Sequence, residues 1–162
     1  MTFMRFGRSW GSDSGAALVE LALSLPLLVL LMIGTIDLAR VFYMSMELTD
    51  GARAGAASGA FNSANSGNST AMQTAATNAI NITGVTANAS RACQCADASG
   101  NFSATSPTAN NCAAPLATSC PSGHLVVTVT VTTSKTFTLL SAYPFPISSL
   151  AVSRAATLRV AN

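Results

Sequence analysis

The stretch SGAALVELALSLPLLVLLMIGTID, Ser14 to Asp37, decides how this chain is read. From Ala16 to Ile36, 21 residues, the single ionisable side chain is Glu20. At ~1.5 Å per residue this run makes about 31 Å of α-helix, which matches a bilayer hydrocarbon core of roughly 30 Å. A helix in the core of a soluble protein shows a polar stripe at every third or fourth position, and Leu27 to Ile33 shows none. The stretch therefore reads as a membrane-spanning helix, with a buried soluble helix as the alternative. Why so apolar a run carries Glu20 near its front edge is the question the rest of the chain has to answer.

The flanks suggest an orientation. Arg5 and Arg8 precede the span, opposed by Asp13; Asp37, Arg40, Glu47, Asp50 and Arg53 follow it with mixed sign. The basic residues weakly favour an N-terminus in the cytoplasm and the bulk of the chain outside. A secretory signal would end its apolar run in a small-residue cleavage site. Met32 to Arg40, MIGTIDLAR, has no such site, and the small residues DSGAA lie before the run. Cleavage is thus expected at the front, leaving the span on the mature chain.

Composition narrows the function. Charged residues make up 9% of the chain, against about 25% in an ordinary soluble domain, and mean hydropathy is +0.44. A net charge of +2 without a Lys/Arg cluster gives no footprint for nucleic acid. One histidine, one tryptophan and few acids leave little material for catalysis. His124 has no evident nucleophile or carboxylate partner, and no phosphate-binding glycine loop or paired-carboxylate arrangement is present. Neither an enzyme nor a cofactor is expected.

A short basic leader, a glycine, and an apolar helix with glutamate at its fifth position resemble the class III signal of type IV pilins. GAALVELALSLPLLVLLMIGTIDLARVFY sharpens this: it resembles the N-terminal segment of the TadE-like pseudopilins of tight-adherence (Tad/Flp) pilus systems. Those share a G-A-A-x-V-E start, a leucine-rich centre with proline, and a G-x-x-[ED]-x-[AG]-R-x-[FY] exit. Leu21 stands where that family usually has an aromatic residue. The resemblance is good over roughly 15–57 and loose over the C-terminal strands.

Several expectations come from the resemblance. A prepilin peptidase removes a leader of residues 1–15 by cutting between Gly15 and Ala16. Residues 16–58 form the transmembrane helix and spine, and residues 59–162 a periplasmic α+β domain. The protein sits in a bacterial inner membrane and enters, or assists, a pilus beside other pilin subunits and the assembly machinery. Glu20 sets subunit register by pairing with an α-amino group, on its own chain or a neighbour's. The residues alone permit a plainer reading, in which Glu20 snorkels to the headgroups. A carboxylate near the bilayer edge costs up to a few kcal/mol and calls for a partner, and the helix dipole favours it in the first turn.

Pro26 removes a backbone donor and frees the Ala22 carbonyl, so a kink or hinge is expected there, with Ser24 near enough to help. Beyond the span, Val41, Met44, Leu48 and Ala52 give an apolar stripe, so one helix should run from about Ser14 to Ala57 and end near Gly59. Asp37 with Arg40, and Asp50 with Arg53, are i,i+3 pairs expected to be solvated. Asp37 and Arg40 are also candidate subunit contacts.

FNSANSGNST, 61–70, reads as a polar linker. Met72, Ala75, Ala76, Ala79 and Ile80 mark a short helix with Ser69 as N-cap and Gly84 as its stop. Val85 to Ala89 suggests a strand, and Ser90 to Gly123 a long loop or weak hairpin. That loop carries Cys93, Cys95, Cys112 and Cys120. In an oxidising periplasm two disulfides are the economical reading. Cys93 and Cys95 are too close to bridge each other, which leaves two pairings with Cys112 and Cys120 open. A metal site from these thiols and His124 is the alternative, but its spacing is no recognised zinc pattern.

HLVVTVTVTTSKTF alternates, with Leu125, Val127, Val129 and Val131 on one face and Val126, Thr128, Thr130 and Thr132 on the other. ISSLAVSRAATLRV aligns Leu150, Val152, Ala156, Leu158 and Val160, interrupted by Arg154. LLSAYPFP between them marks a turn, in which Tyr143 and Phe145 plug the core or insert into a partner. The expected fold is α+β and pilin-like: a long helical spine packed by a short helix and a small antiparallel sheet. Two functions remain: a minor pseudopilin of a Tad-type pilus, or an uncleaved single-pass anchored protein whose periplasmic domain binds a partner.

Overall fold

A computed structural model gives the fold and describes residues 13–101, 112, 120, 123–140 and 149–161. Helix α1 (Asp13–Ala60) is followed by the short α2 (Ser63–Ser66) and by α3 (Ser69–Asn78). Three strands complete the chain: β1 (Thr86–Ala96), β2 (His124–Thr138) and β3 (Ser149–Arg159). They form one antiparallel sheet in the order β1-β2-β3. The α+β spine-and-sheet architecture is the one expected.

α1 is 48 residues long, about 72 Å at ~1.5 Å per residue. Its two halves have different surroundings. Leu21, Leu23, Leu27, Leu28 and Leu31 are all more than half exposed, whereas Leu48, Ala52 and Ala56 are fully buried. The change falls where the polar positions appear, because only an amphipathic stretch can offer one face to a sheet and another to water.

The sheet packs on the second half of α1 through the face that carries the odd-numbered residues of β2 and the even-numbered residues of β3. Val129 and Val131 join Ala56, Met72, Ala76 and Val160 in one apolar cluster. Phe137 and Val152 join Met44, Leu48 and Ile80 in a second. Thr133 lies on the same face, fully buried, and its hydroxyl donates to the Leu48 carbonyl at 2.7 Å. The alternation along β2 thus has its predicted effect, with Val126 as an apolar residue buried on the opposite face.

Glycines decide how closely α3 lies on α1. A methyl group at Gly55 would come within 2.7 Å of the Met72 carbonyl oxygen and 2.9 Å of the Ala76 methyl. At Gly59 it would strike the Met72 sulfur, whose side chain occupies the space above the glycine. Gly51, Gly55 and Gly59 recur every fourth position, so they present one bare strip of helix to α3.

Several local readings are corrected. The linker contains α2, capped by Asn62, whose side chain accepts the Asn65 N–H at 2.8 Å. Asn68, not Ser69, caps α3, accepting from Ala71 N–H at 3.0 Å. α3 stops at Asn78, and Gly84 instead supplies a left-handed turn (φ +72°) before β1. β1 runs to Ala96, well past Ala89, because the first half of β2 requires a partner. Ser90 to Ala96 take that ladder, Ser90 opposite Thr130 and Ala96 opposite His124. Arg154 does not merely interrupt β3; its Nε donates to the Ser45 hydroxyl of α1 at 2.9 Å. At the chain's end, the Ala161 N–H donates to the Ala60 carbonyl at 2.9 Å and so satisfies one of α1's last acceptors.

Candidate functional site

Two places on α1 carry the residues singled out from sequence: its bare first half, and the junction where it meets the end of β2. Gly15, Ala16 and Glu20 lie on consecutive turns of the same helix, all exposed. A side chain at Gly15 would meet nothing within 4 Å. Among the described residues Glu20 has no hydrogen-bond or ion-pair partner. Residues 1–12, most of the expected leader, lie outside the described residues.

Helix α1 continues through Pro26. Ser24 does not serve the Ala22 carbonyl that Pro26 leaves free; its hydroxyl donates to Leu21 at 3.1 Å. The helix is long and apolar enough to cross a membrane, with a mean hydropathy of 2.5 over its most apolar stretch, and no described residue covers that stretch. Its leucines can be removed from water only by lipid or by other chains.

At the junction Asp37 is not solvated. It is 5% exposed, and both its carboxylate oxygens accept the Leu140 N–H, at 3.2 and 3.1 Å. Arg40, one turn on, donates to Asp37 at 3.4 Å and lies 5.0 Å from the centre of the Phe137 ring. Asp37 and Arg40 therefore tie α1 to the end of β2 within one chain. The expectation of solvated charges holds for Asp50 and Arg53, which are both exposed.

A second tie lies two turns along. Glu47 accepts the Asn81 N–H at 2.9 Å, holding the segment that leaves α3. The hydrogen bond from Tyr43 to Glu47, followed by that carboxylate's charge, holds the phenol above its usual range. Neither Glu47 nor the glycine strip was singled out from sequence. The repeated G-x-x-x-G spacing was the signal available for the strip.

The four cysteines form two bridges, Cys93–Cys112 and Cys95–Cys120, with Cα separations of 5.6 and 5.5 Å. This is one of the two pairings left open. All four sulfurs are consumed, so none is a thiolate ligand for a metal. Cys93 and Cys95 lie on β1 itself, opposite Val127 and Leu125. Tyr143 and Phe145 lie outside the described residues.

Residues 15–57 match the family model described as TadE-like protein. The match covers the bare half of α1, the Asp37–Arg40 junction and most of the buried half, and stops short of the sheet. No curated protein and no solved structure matches the chain significantly.

Proposed function

We propose that this protein is a minor pilin-like subunit of a Tad-type pilus assembly system. α1 is its membrane anchor before assembly and its packing element afterwards. The observation that carries this reading is the division of α1: a TadE-like helix whose first half is exposed, with no partner among the described residues, and whose second half is the spine of a small domain. A helix serving only as the domain's core has no use for the exposed half.

In this reading the span crosses the inner membrane with its N-terminus in the cytoplasm and the disulfide-bonded domain in the periplasm. A prepilin peptidase cuts between Gly15 and Ala16. The new α-amino group lies one helical turn from Glu20, and amine and carboxylate pair, within a chain or between neighbours, where water is scarce and the attraction strong. Helices of other pilin subunits then replace lipid around the leucines, and Pro26 lets the helix bend as it leaves the bilayer. Contribution to the pilus, and through it to surface adherence, follows from that packing. No catalytic step, cofactor or nucleic acid enters.

The test is the mass of the native protein extracted from membranes. Loss of residues 1–15, leaving Ala16 first, supports the subunit reading. A full-length chain favours the second, an uncleaved anchored protein whose periplasmic domain binds or scaffolds a partner.

A further inference from the structure

The apolar run of α1 ends at Ile36, and one turn further on α1 and the end of β2 enclose a cleft of about 550 Å³. Ile36, Met44 and Phe137 supply its apolar lining; Arg40, Lys135 and Tyr43 supply its polar groups. Both cations are fixed. Arg40 is held by Asp37 and the Phe137 ring, and Lys135 donates to the Thr83 carbonyl. Asp37 offsets Arg40, whereas Lys135 has no carboxylate within 4 Å among the described residues. Glu47, the other acid nearby, is occupied by the Asn81 N–H and Tyr43. Asp37 and Glu47 keep their charges, but neither lines the cleft, whose charged lining is Arg40 and Lys135.

Its height matters as much as its charge. Arg40 is four residues beyond Ile36, about 6 Å along the helix. A headgroup layer is roughly 5–7 Å thick on each side of the hydrocarbon. Phe42 and Tyr43, 60% and 53% exposed, stand at the same level, where aromatic side chains favour the interface.

We propose that this cleft holds the headgroup phosphate of an anionic phospholipid from the leaflet facing the domain, with Arg40 and Lys135 as its ligands. The apolar lining takes the glycerol end of the lipid, and the exposed leucine face of α1 takes an acyl chain. Arg40 belongs to α1 and Lys135 to β2, so the lipid joins helix and sheet to the membrane surface and fixes the domain's rotation on it. The inference rests on α1 spanning a bilayer.

The full chain is placed in nanodiscs of phosphatidylcholine with a minor fraction of phosphatidylglycerol, and the lipids it retains on detergent release are counted by native mass spectrometry. Wild type retains phosphatidylglycerol preferentially. Arg40→Gln and Lys135→Gln each lose about fivefold of that preference, Lys135→Arg restores it, and Arg53→Gln leaves it unchanged. Equal retention of the two lipids by wild type, an unchanged preference in both glutamine variants, or displacement of the lipid by inorganic phosphate overturns the proposal. A chain that fails to enter the nanodisc overturns the spanning reading instead, so the two failures are distinguishable.

Discussion

Asp37 of α1 receives the Leu140 N–H on both of its carboxylate oxygens, across 103 residues of chain. The contact closes the fold at the end of the domain nearest the exposed apolar half of α1. It also satisfies a backbone donor just past the last residue of β2, where the ladder can no longer do so. Truncating Asp37 to alanine removes a hydrogen bond to a charged acceptor, which costs about 1.5–3 kcal/mol. Asp37→Asn keeps one acceptor and should lose less. Urea unfolding of the detergent-solubilised protein reads both variants, and an Asp37→Ala midpoint equal to wild type would refute the clamp.

Gly55 offers a test in which two effects have opposite sign. Alanine in place of an exposed mid-helix glycine stabilises by about 1 kcal/mol. At Gly55 the added methyl meets a backbone oxygen and another Cβ, neither of which can swing away. Overpacking of this kind costs about 1–3 kcal/mol, so Gly55→Ala should destabilise on balance. Gly34→Ala, where nothing lies within 4 Å, should not lower the unfolding midpoint. A stabilised Gly55→Ala would mean that α3 does not lie where it is described.

These two sites show which parts of the molecule could be read from sequence. α1, the alternating face of β2 and the buried stripe of Met44, Leu48 and Ala52 were legible because each is a repeated apolar period that burial alone explains. Asp37 was not, since its partner is a backbone N–H 103 residues away and a carboxylate beside an arginine reads equally well as a surface pair. The second half of β1 was not legible either. Ser90 to Ala96 have little strand propensity of their own and are strand because β2 is long. The glycine strip was written plainly but reads as flexibility until α3 is seen against it. Of the proposed site, Glu20 and its exposed surroundings were legible. The cleft was not, because Arg40 and Lys135 meet only through the fold.

Glu20 separates anchoring from assembly. Replacing it with alanine makes the span more apolar, so membrane insertion should be undiminished. If the carboxylate pairs with an α-amino group to set register, the Glu20→Ala chain is processed and inserted but recovered poorly with other pilin subunits. Co-purification of tagged wild-type and variant chains measures this. Equal recovery would remove the register role while leaving the anchor intact.

The turn after β1 supplies a pH dependence with a definite sign. The Asn101 N–H donates to Asp97 at 2.9 Å and the Ser99 N–H at 2.8 Å. The Asn101 bond, ahead of the others, holds this carboxyl below the ordinary aspartate range. A folded-state value below the unfolded one means the turn is fully supported above the unfolded pKa and loses support as pH falls through the folded one. The protection factors of the Ser99 and Asn101 amides, taken against the intrinsic exchange rate at each pH, should therefore fall in acid, and Asp97→Asn should abolish that fall. A carboxyl titrating above the ordinary aspartate value in the NMR spectrum would reverse the sign and refute the account.

The two disulfides fasten the chain beyond β1 back onto a strand that has weak propensity of its own. Cys93 and Cys112 are separated by 19 residues, and closing a loop of that length restricts the unfolded chain by about 3 kcal/mol. Replacing both with serine removes the bridge without leaving a free thiol. The domain's unfolding midpoint should fall accordingly, and protection of the β1 amides near Cys93, opposite Val127, should fall first. Cys93 is fully buried, so part of the loss comes from placing a hydroxyl where a sulfur packed. A Cys93→Ala, Cys112→Ala pair isolates the covalent contribution. Membrane insertion should be untouched in both, because the span makes no contact with this region in the proposed topology. Loss of insertion in the alanine pair would show that the anchor depends on the domain, contrary to the division of α1 into a free half and a packed half.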